Sequence, residues 1–458
     1  MNRRIRSDCM EMRGTLNDQG LPEWFRKMMS GRNTSAFSMI PFRNPSMMNS
    51  LTMNDQNNLI TPFMRSERGM ESTLSNHKCN YHEINEESMS RYKSFNHQYG
   101  HGYFPFYHFG NWGGNMSGVI RIQSAFPMRD LNGDYFNMGA SFGNGNNYHF
   151  LKYPSSLDMN NYQVVGTVPS RYPNHIGCFH AYGITDNYFV LCEQPIGFNA
   201  SQFTNSQIVS GDYNMEFLQR ECNYFYIMDK RSGKCREVRY VTDNPYFIYN
   251  FVNCYEYENQ IVIDAMGLNG SDLYSSINPD SPISSRFFRE RYNSSKIMRF
   301  RLPLGSNSSS QMDWNNSTSW KQDSNKMILQ PQYPFSESEC MYPCINPNYN
   351  CRKNQYTYGQ SGNSMIKFDA KNGRNLTWRG DNELRRPFRS VFVPNPSGMY
   401  EDDGVVVSWC CHSRDDFSKQ YMVFINAHNM EEISRLNCDS PLPFGSSNSF
   451  NSSYFMQW

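Results

Sequence analysis

The stretch Cys178-Phe179-His180-Ala181-Tyr182-Gly183-Ile184-Thr185-Asp186-Asn187-Tyr188-Phe189-Val190-Leu191-Cys192-Glu193-Gln194-Pro195 decides how the rest of the chain is read. It predicts a tight turn between two strands. Gly183 permits a positive φ, and Asp186 and Asn187 are turn formers whose side chains bond their own backbone. Tyr188 to Leu191 is a short, apolar, β-prone run, the pattern of a buried strand. His180 stands at a strand end just ahead of the turn, where side chains often converge on a site. A single histidine in such a place is more often a hydrogen-bonded structural residue than a metal ligand.

Working outward, the same strand-turn-strand unit recurs. Ala125-Phe126-Pro127-Met128-Arg129-Asp130-Leu131-Asn132-Gly133-Asp134-Tyr135-Phe136-Asn137-Met138-Gly139 reads as two strands about an Asn-Gly turn. Ile227-Met228-Asp229-Lys230 with Ser232-Gly233 is a second hairpin. A long apolar run, 245–256, leads into the strand Gln260-Ile261-Val262-Ile263-Asp264. Residues 299–304 return to strand. Residues 268–296 are polar and broken by Ser and Pro, with an amphipathic piece at 286–291. Residues 36–100 are rich in Met, Asn and Ser with little periodicity, which predicts poor order. Strands should therefore dominate, helices should be short, and the sheets should be arranged radially.

Composition limits the function classes. The 458 residues carry 43 Lys plus Arg and 42 Asp plus Glu, so no excess of positive charge points to nucleic acid. Aromatics at 15% suit sheet packing. Mean hydropathy is −0.71, because Asn and Ser are abundant. No run of 18 apolar residues predicts a transmembrane helix. The basic start, Met1-Asn2-Arg3-Arg4-Ile5-Arg6, lacks the apolar stretch of a signal peptide. Thirteen cysteines without framework spacing read as reduced thiols in a cytoplasmic protein. Cys340, Cys344 and Cys351 lack a fourth ligand for zinc. In Cys410-Cys411-His412, neighbours on a strand face opposite ways. No phosphate loop, G-x-S-x-G elbow or H-E-x-x-H occurs.

The quoted stretch resembles the H-S-F-G-x-T-x-N-Y-x-V/I-x-x-E-x-P signature of carotenoid cleavage oxygenases, the family of the retinal pigment epithelium retinoid isomerase. Other segments are similar to further family patterns: 125–139 to A-H-P-H-x-D-x-x-G-x-x-Y/F-N-x-G, 245–256 to F-H-x-x-N-A-Y/W-E, where Asn253, Tyr255 and Glu256 match, and 442–450 to I-P-Y-G-x-H-G-x-F. Gly20-Leu21-Pro22-Glu23-Trp24-Phe25 is similar to the family's opening. The resemblance is continuous over about 125–450 and divergent before that. It implies an all-β fold, a seven-bladed β-propeller at 121–458, with a divergent and irregular N-terminal part at 1–120. It also implies a helical excursion over the entrance at 268–296.

The implied reaction is Fe(II)- and O2-dependent cleavage or isomerisation of an apolar polyene, a carotenoid or retinoid. In the family four histidines hold the iron, leaving open positions for O2 or substrate. Here the four positions carry Phe126, His180, Asn250 and Ser447, and each should stand near the propeller axis. Glutamates that orient the imidazoles in the family are replaced by Met341 and Arg389. No histidine lies between 181 and 411 or after 428, so a shift of register restores neither of the later ligands. His149 and His175 are the two others that could approach His180. The resemblance thus implies a member with impaired catalysis, iron held weakly or not at all, and an apolar polyene or lipid-like ligand with peripheral membrane contact. The rival readings are an active dioxygenase with a rebuilt iron site and a propeller that serves as an interaction platform.

Overall fold

A computed structural model describes residues 2–7, 10–16, 20–30, 37–38 and 107–109, most of 120–438, and 449–450. Within 120–438 the longer stretches outside the described residues are 154–161, 200–214, 270–294, 306–319, 381–385 and 412–419. The expectations of poor order at 36–100 and of a helical excursion at 268–296 fall almost wholly outside them.

Strands dominate, as the repeating hairpin signals predict, and the one α-helix among the described residues is Glu23–Ser30. The larger sheets are mostly runs of consecutive antiparallel strands. The first carries Tyr107–Phe109, Ile122–Ser124, Tyr135–Ser141, Asn147–Tyr153 and Gln163–Pro169, with Met128–Arg129 paired to Tyr135–Ser141. Its Asn-Gly turn forms as expected, with Gly133 at φ 88°. A small sheet of His175–Gly177, Ile196–Asn199 and Met215–Phe217 follows.

The opening stretch begins the next large sheet. Tyr182–Ile184 and Tyr188–Glu193 form a hairpin, then come Tyr224–Asp229 and Arg239–Thr242. Lys326–Leu329 adds in parallel to Arg239–Thr242, and Trp320–Asp323 completes this sheet. Tyr246–Tyr257, Gln260–Asn269 and Lys296–Pro303 make a three-stranded sheet. Its first turn, Glu258-Asn259, has φ of 49° and 58°, the mirror-image turn that suits the twist of a tight hairpin. Met341–Cys344, Tyr356–Ser361, Ser364–Asp369 and Asn375–Arg379 make the next.

A further sheet holds Arg386–Pro394, Gly404–Cys411, Gln420–Asn426 and Glu432–Cys438. It is then extended by two early strands, since Met10–Leu16 pairs with Glu432–Cys438 and Asn2–Ser7 pairs with Met10–Leu16. The core lies between the sheets. Phe136, Phe150 and Phe189 meet edge-on or tilted at 5.1 and 4.9 Å, and Phe225 packs on Phe300 at 5.4 Å.

Two details of the opening hairpin differ from the local reading of the sequence. Gly183 does not adopt a positive φ; it lies within Tyr182–Ile184. A Cβ there would fall 2.6 Å from Cys254 Cβ and 2.8 Å from Phe251 Cδ2, so glycine is required by the close approach of the neighbouring sheet. Asn187 does not bond its own backbone either. Its N–H and Nδ2 both donate to Glu256, at 3.0 Å each. The turn is closed instead by Thr185, whose Oγ1 accepts from Tyr188 N at 2.9 Å and donates to Glu256 Oε1 at 2.6 Å.

Candidate functional site

Of the four positions singled out by the sequence, Asn250 lies among the described residues, in Tyr246–Tyr257; Phe126, His180 and Ser447 lie outside them. Described residues flank Phe126 and His180 and surround Asn250, and side-chain amides hold them.

Asn137 serves the first pair. Its Nδ2 donates to Ser124 O at 2.9 Å, and its Oδ1 accepts from Met138 N at 2.8 Å and from Tyr182 Oη at 3.1 Å. One buried carboxamide therefore ties a residue two before Phe126 to a residue two after His180. Phe179 and Ala181, on either side of His180, are fully buried. Phe179 meets the Tyr148 ring at 6.0 Å, and Ala181 O accepts from Cys192 N at 2.9 Å.

Gln194 serves the third position. Its Nε2 donates to Ile248 O at 2.8 Å and its Oε1 accepts from Ile248 N at 2.7 Å. The pairing of Tyr246–Tyr257 with Gln260–Asn269 slips between Ile248 and Asn250 and again between Phe251 and Asn253. A β-bulge leaves backbone groups without ladder partners, and Gln194 supplies both partners at the first slip. Asn253 fills the second. Its Oδ1 accepts from Cys254 N and Cys351 N, and its Nδ2 donates to Tyr349 O, Arg352 O and Asn354 Oδ1. Asn250 thus sits between two irregularities, each pinned by a buried amide.

Glu193, the glutamate of the signature stretch, is fully buried and accepts five hydrogen bonds. Oε1 receives Tyr148 Oη, Ser170 Oγ and Arg171 N; Oε2 receives Arg171 Nε at 2.7 Å and Tyr226 Oη at 3.2 Å. A buried carboxylate is tolerable only when paired and fully hydrogen-bonded, and this one is both. Burial, and after it the Glu193 charge, hold the Tyr148 phenol well above its ordinary range. The network joins the hairpin to the preceding sheet, so the glutamate acts as a fastener of strands.

The remaining family positions carry no carboxylate. Met341 is buried in Met341–Cys344, and Arg389 lies at a register slip in Arg386–Pro394, between Phe388 and Ser390. His149 is committed elsewhere: Nδ1 meets Thr167 Oγ1 at 2.9 Å and Nε2 meets Ser141 Oγ at 2.8 Å. With both ring nitrogens engaged it has none left for a metal. Burial lowers its pKa to about 4, so the ring is neutral. His428 pairs with Asp402 at the surface. Among the described residues no three His, Cys, Asp or Glu side chains gather where they could hold a metal ion. Buried Cys254, Cys340 and Cys351 are free, with thiol pKa values pushed up by desolvation.

Sequence reasoning marked Asn253 as matching a pattern but gave it no task, and it overlooked Gln194 and Arg171. Nothing local announces them, because their partners lie 54 residues away for Gln194 and 22 for Arg171. No helix among the described residues is long and apolar enough to cross a membrane.

Known proteins resemble this chain in sequence and in fold. Human beta,beta-carotene 15,15'-dioxygenase is 24% identical over 352 residues, covering 70% of this chain and 62% of the relative. The carotenoid isomerooxygenase of Galleria mellonella is 26% identical over 337 residues, covering 68% and 60%. The chain therefore spans about three fifths of the length of these curated relatives. Among solved structures, a Pseudomonas brassicacearum lignostilbene dioxygenase superposes with a TM-score of 0.55 at 13% identity, covering 75% of this chain and 69% of that one. An ACO/RPE65 chimera also gives 0.55, at 16% identity, covering 75% and 68%. These likenesses show the fold, an all-β, seven-bladed propeller of the carotenoid-oxygenase type. The family model described as retinal pigment epithelial membrane protein, RPE65, matches residues 47–451, and the chain belongs to that family, the carotenoid cleavage oxygenases.

Proposed function

We propose that this protein keeps the carotenoid-oxygenase scaffold as a binder of an apolar polyene or lipid-like molecule and is impaired in the oxidative cleavage or isomerisation that gives the family its name. The observation that carries the reading is the donor set at the four iron positions. The family is iron-dependent, and Fe(II) needs several nitrogen or carboxylate donors that leave positions open. Phe126 offers none, Asn250 and Ser447 offer weak neutral oxygens, and His180 is a lone imidazole. These residues do not fit Fe(II), and His149 has no free nitrogen to lend. Met341 and Arg389 also replace the orienting carboxylates, whose loss typically costs 10–100-fold in metal affinity.

The preserved frame supports the binding half of the reading. Ser124, Tyr182 and Ile248 each stand two residues from one of these positions, and each is held by Asn137 or Gln194. Their ties favour convergence of Phe126, His180 and Asn250 on one site. Relatives named for β-carotene and carotenoid chemistry suggest the ligand class. A peripheral membrane contact would follow from delivery of such a ligand.

The test is elemental analysis of the purified full chain, joined to absorbance spectra of its organic extract. Iron is expected far below one per chain, unchanged by His180→Ala, with polyene absorbance in the extract. One iron per chain, lost in His180→Ala, would overturn the reading and favour a rebuilt iron site. An extract without polyene or lipid would favour a propeller used as an interaction platform.

A further inference from the structure

One end strand combines an open edge with uncompensated charge. Asn375–Arg379 ends the sheet that begins with Met341–Cys344, and it pairs on one side alone, with Ser364–Asp369. Among the described residues no strand lies along its other side. Its residues are exposed except Trp378, so nothing else covers that edge. Leu376, 45% exposed, offers an apolar contact beside it.

The strand is held firmly. Its turn is closed by Gly373 N donating to Asp369 O at 2.9 Å and by Asp369 N donating to Arg374 O at 3.0 Å. A Cβ at Gly373 would meet nothing, so the turn projects into open space. Near the other end Trp378 Nε1 donates to Glu432 Oε2 at 3.1 Å, which ties the strand to the sheet of Glu432–Cys438. An edge already set in place costs a partner little ordering.

The charge is of one sign. Within 370–380 stand Lys371, Arg374 and Arg379 and no carboxylate. None of these three side chains has an ion-pair or hydrogen-bond partner among the described residues. The carboxylates that touch the hairpin are taken: Glu432 by Arg435 and Trp378, and Asp369 by Lys371 N and Gln355 Nε2. A row of unpaired backbone N–H and C=O groups is a template for another strand. Cationic side chains along it repel the same edge of a second copy and favour a strand of opposite charge.

We infer that Asn375–Arg379 is a docking edge for an acidic extended segment of a partner protein, which adds to the sheet as a further strand. Backbone hydrogen bonds hold the segment, the three cations select its carboxylates, and Leu376 receives an apolar side chain. Neither iron nor polyene enters this role, so His180→Ala should leave it untouched.

The experiment titrates the full chain with a short blocked peptide of alternating Glu and Val, read by fluorescence anisotropy and by hydrogen exchange. Binding is expected with Kd on the order of 0.1 mM, weakening as salt rises. Protection should rise in Asn375–Arg379 and stay unchanged in Gln163–Pro169, the uncharged end strand of the first sheet. The exposed pair Arg374→Glu and Arg379→Glu, changed together, should weaken binding about 10-fold and leave the unfolding midpoint where it was. A peptide of alternating Lys and Val should not bind. Equal binding by the same Glu and Val peptide N-methylated throughout would overturn the inference, because charge without strand pairing would then suffice. Absence of binding would also overturn it, as would tighter binding of oligothymidylate at this strand.

Discussion

His149 is a neutral imidazole clamped between Thr167 and Ser141, and its burial has a consequence for pH. The folded ring takes a proton only near pH 4, whereas the unfolded chain takes it near 6.5. Its contribution to stability is therefore complete above pH 6.5 and is lost as pH falls from 6.5 toward 4. The loss is at most ~3 kcal/mol from this one group. The urea midpoint should fall over that window in wild type, and the fall should flatten in His149→Gln. An identical slope in both would show that the ring titrates normally. Gly183 makes a second case. Gly183→Ala pushes a Cβ into Cys254 and Phe251, and overpacking of this kind costs ~1–3 kcal/mol. A positive-φ glycine and a close-approach glycine look alike in a sequence, and this explains why the local reading found the residue and missed its reason.

At the scale of the strand, what matters is how two bulges are held around Asn250. Gln194→Leu would leave Ile248 N and O without partners in a buried place, at a cost of ~1–3 kcal/mol per group. Asn253→Leu would strip five hydrogen bonds at the next slip and should cost more. Chemical denaturation measures both, and losses under 1 kcal/mol would mean that the bulges hold themselves. The hairpins were legible because period-two patterning and Asn132-Gly133 or Ser232-Gly233 turns are local signals. The bulges were not. A slip of register inserts one residue without changing composition, and the amides that repair it come from elsewhere in the chain. The candidate site was legible to the same degree. The pattern singled out Asn250 and three positions that lie outside the described residues, while Asn137, Gln194 and Arg171 act through contacts that no local pattern encodes. Where the sequence offered a run of Asn and Ser, nothing distinguished Asn137 and Asn253 from the many that touch solvent.

For the molecule as a whole, an early segment and a late one meet in one sheet. Gly14, Thr15 and Leu16 pair with Cys438, Asn437 and Leu436, so two early strands extend the sheet that holds Glu432–Cys438. The helix Glu23–Ser30 adds a second fastening, with Leu21 and Phe25 buried and the Phe25 ring edge-on to Phe424 at 5.6 Å. Gly20 approaches so closely that a Cβ there would overlap Ile433 O. Pairing of Met10–Leu16 with Glu432–Cys438 ties an early segment to this sheet, and the sheet cannot shed that segment without breaking the pairing. The sequence around Gly20-Leu21-Pro22 was similar to the family's opening, but a helix of eight residues gives too short a period to be read, and its partner lies some 400 residues away. If this seam carries the stability of the whole, Phe25→Ala should lower the global unfolding free energy by ~3–5 kcal/mol, the usual cost of emptying a buried aromatic site. Hydrogen exchange should then speed up in Gln420–Asn426 and Glu432–Cys438 before it does in Tyr188–Glu193. A Phe25→Ala protein with an unchanged midpoint and unchanged exchange in that sheet would show instead that residues 20–30 are an appendage and that the propeller closes without them.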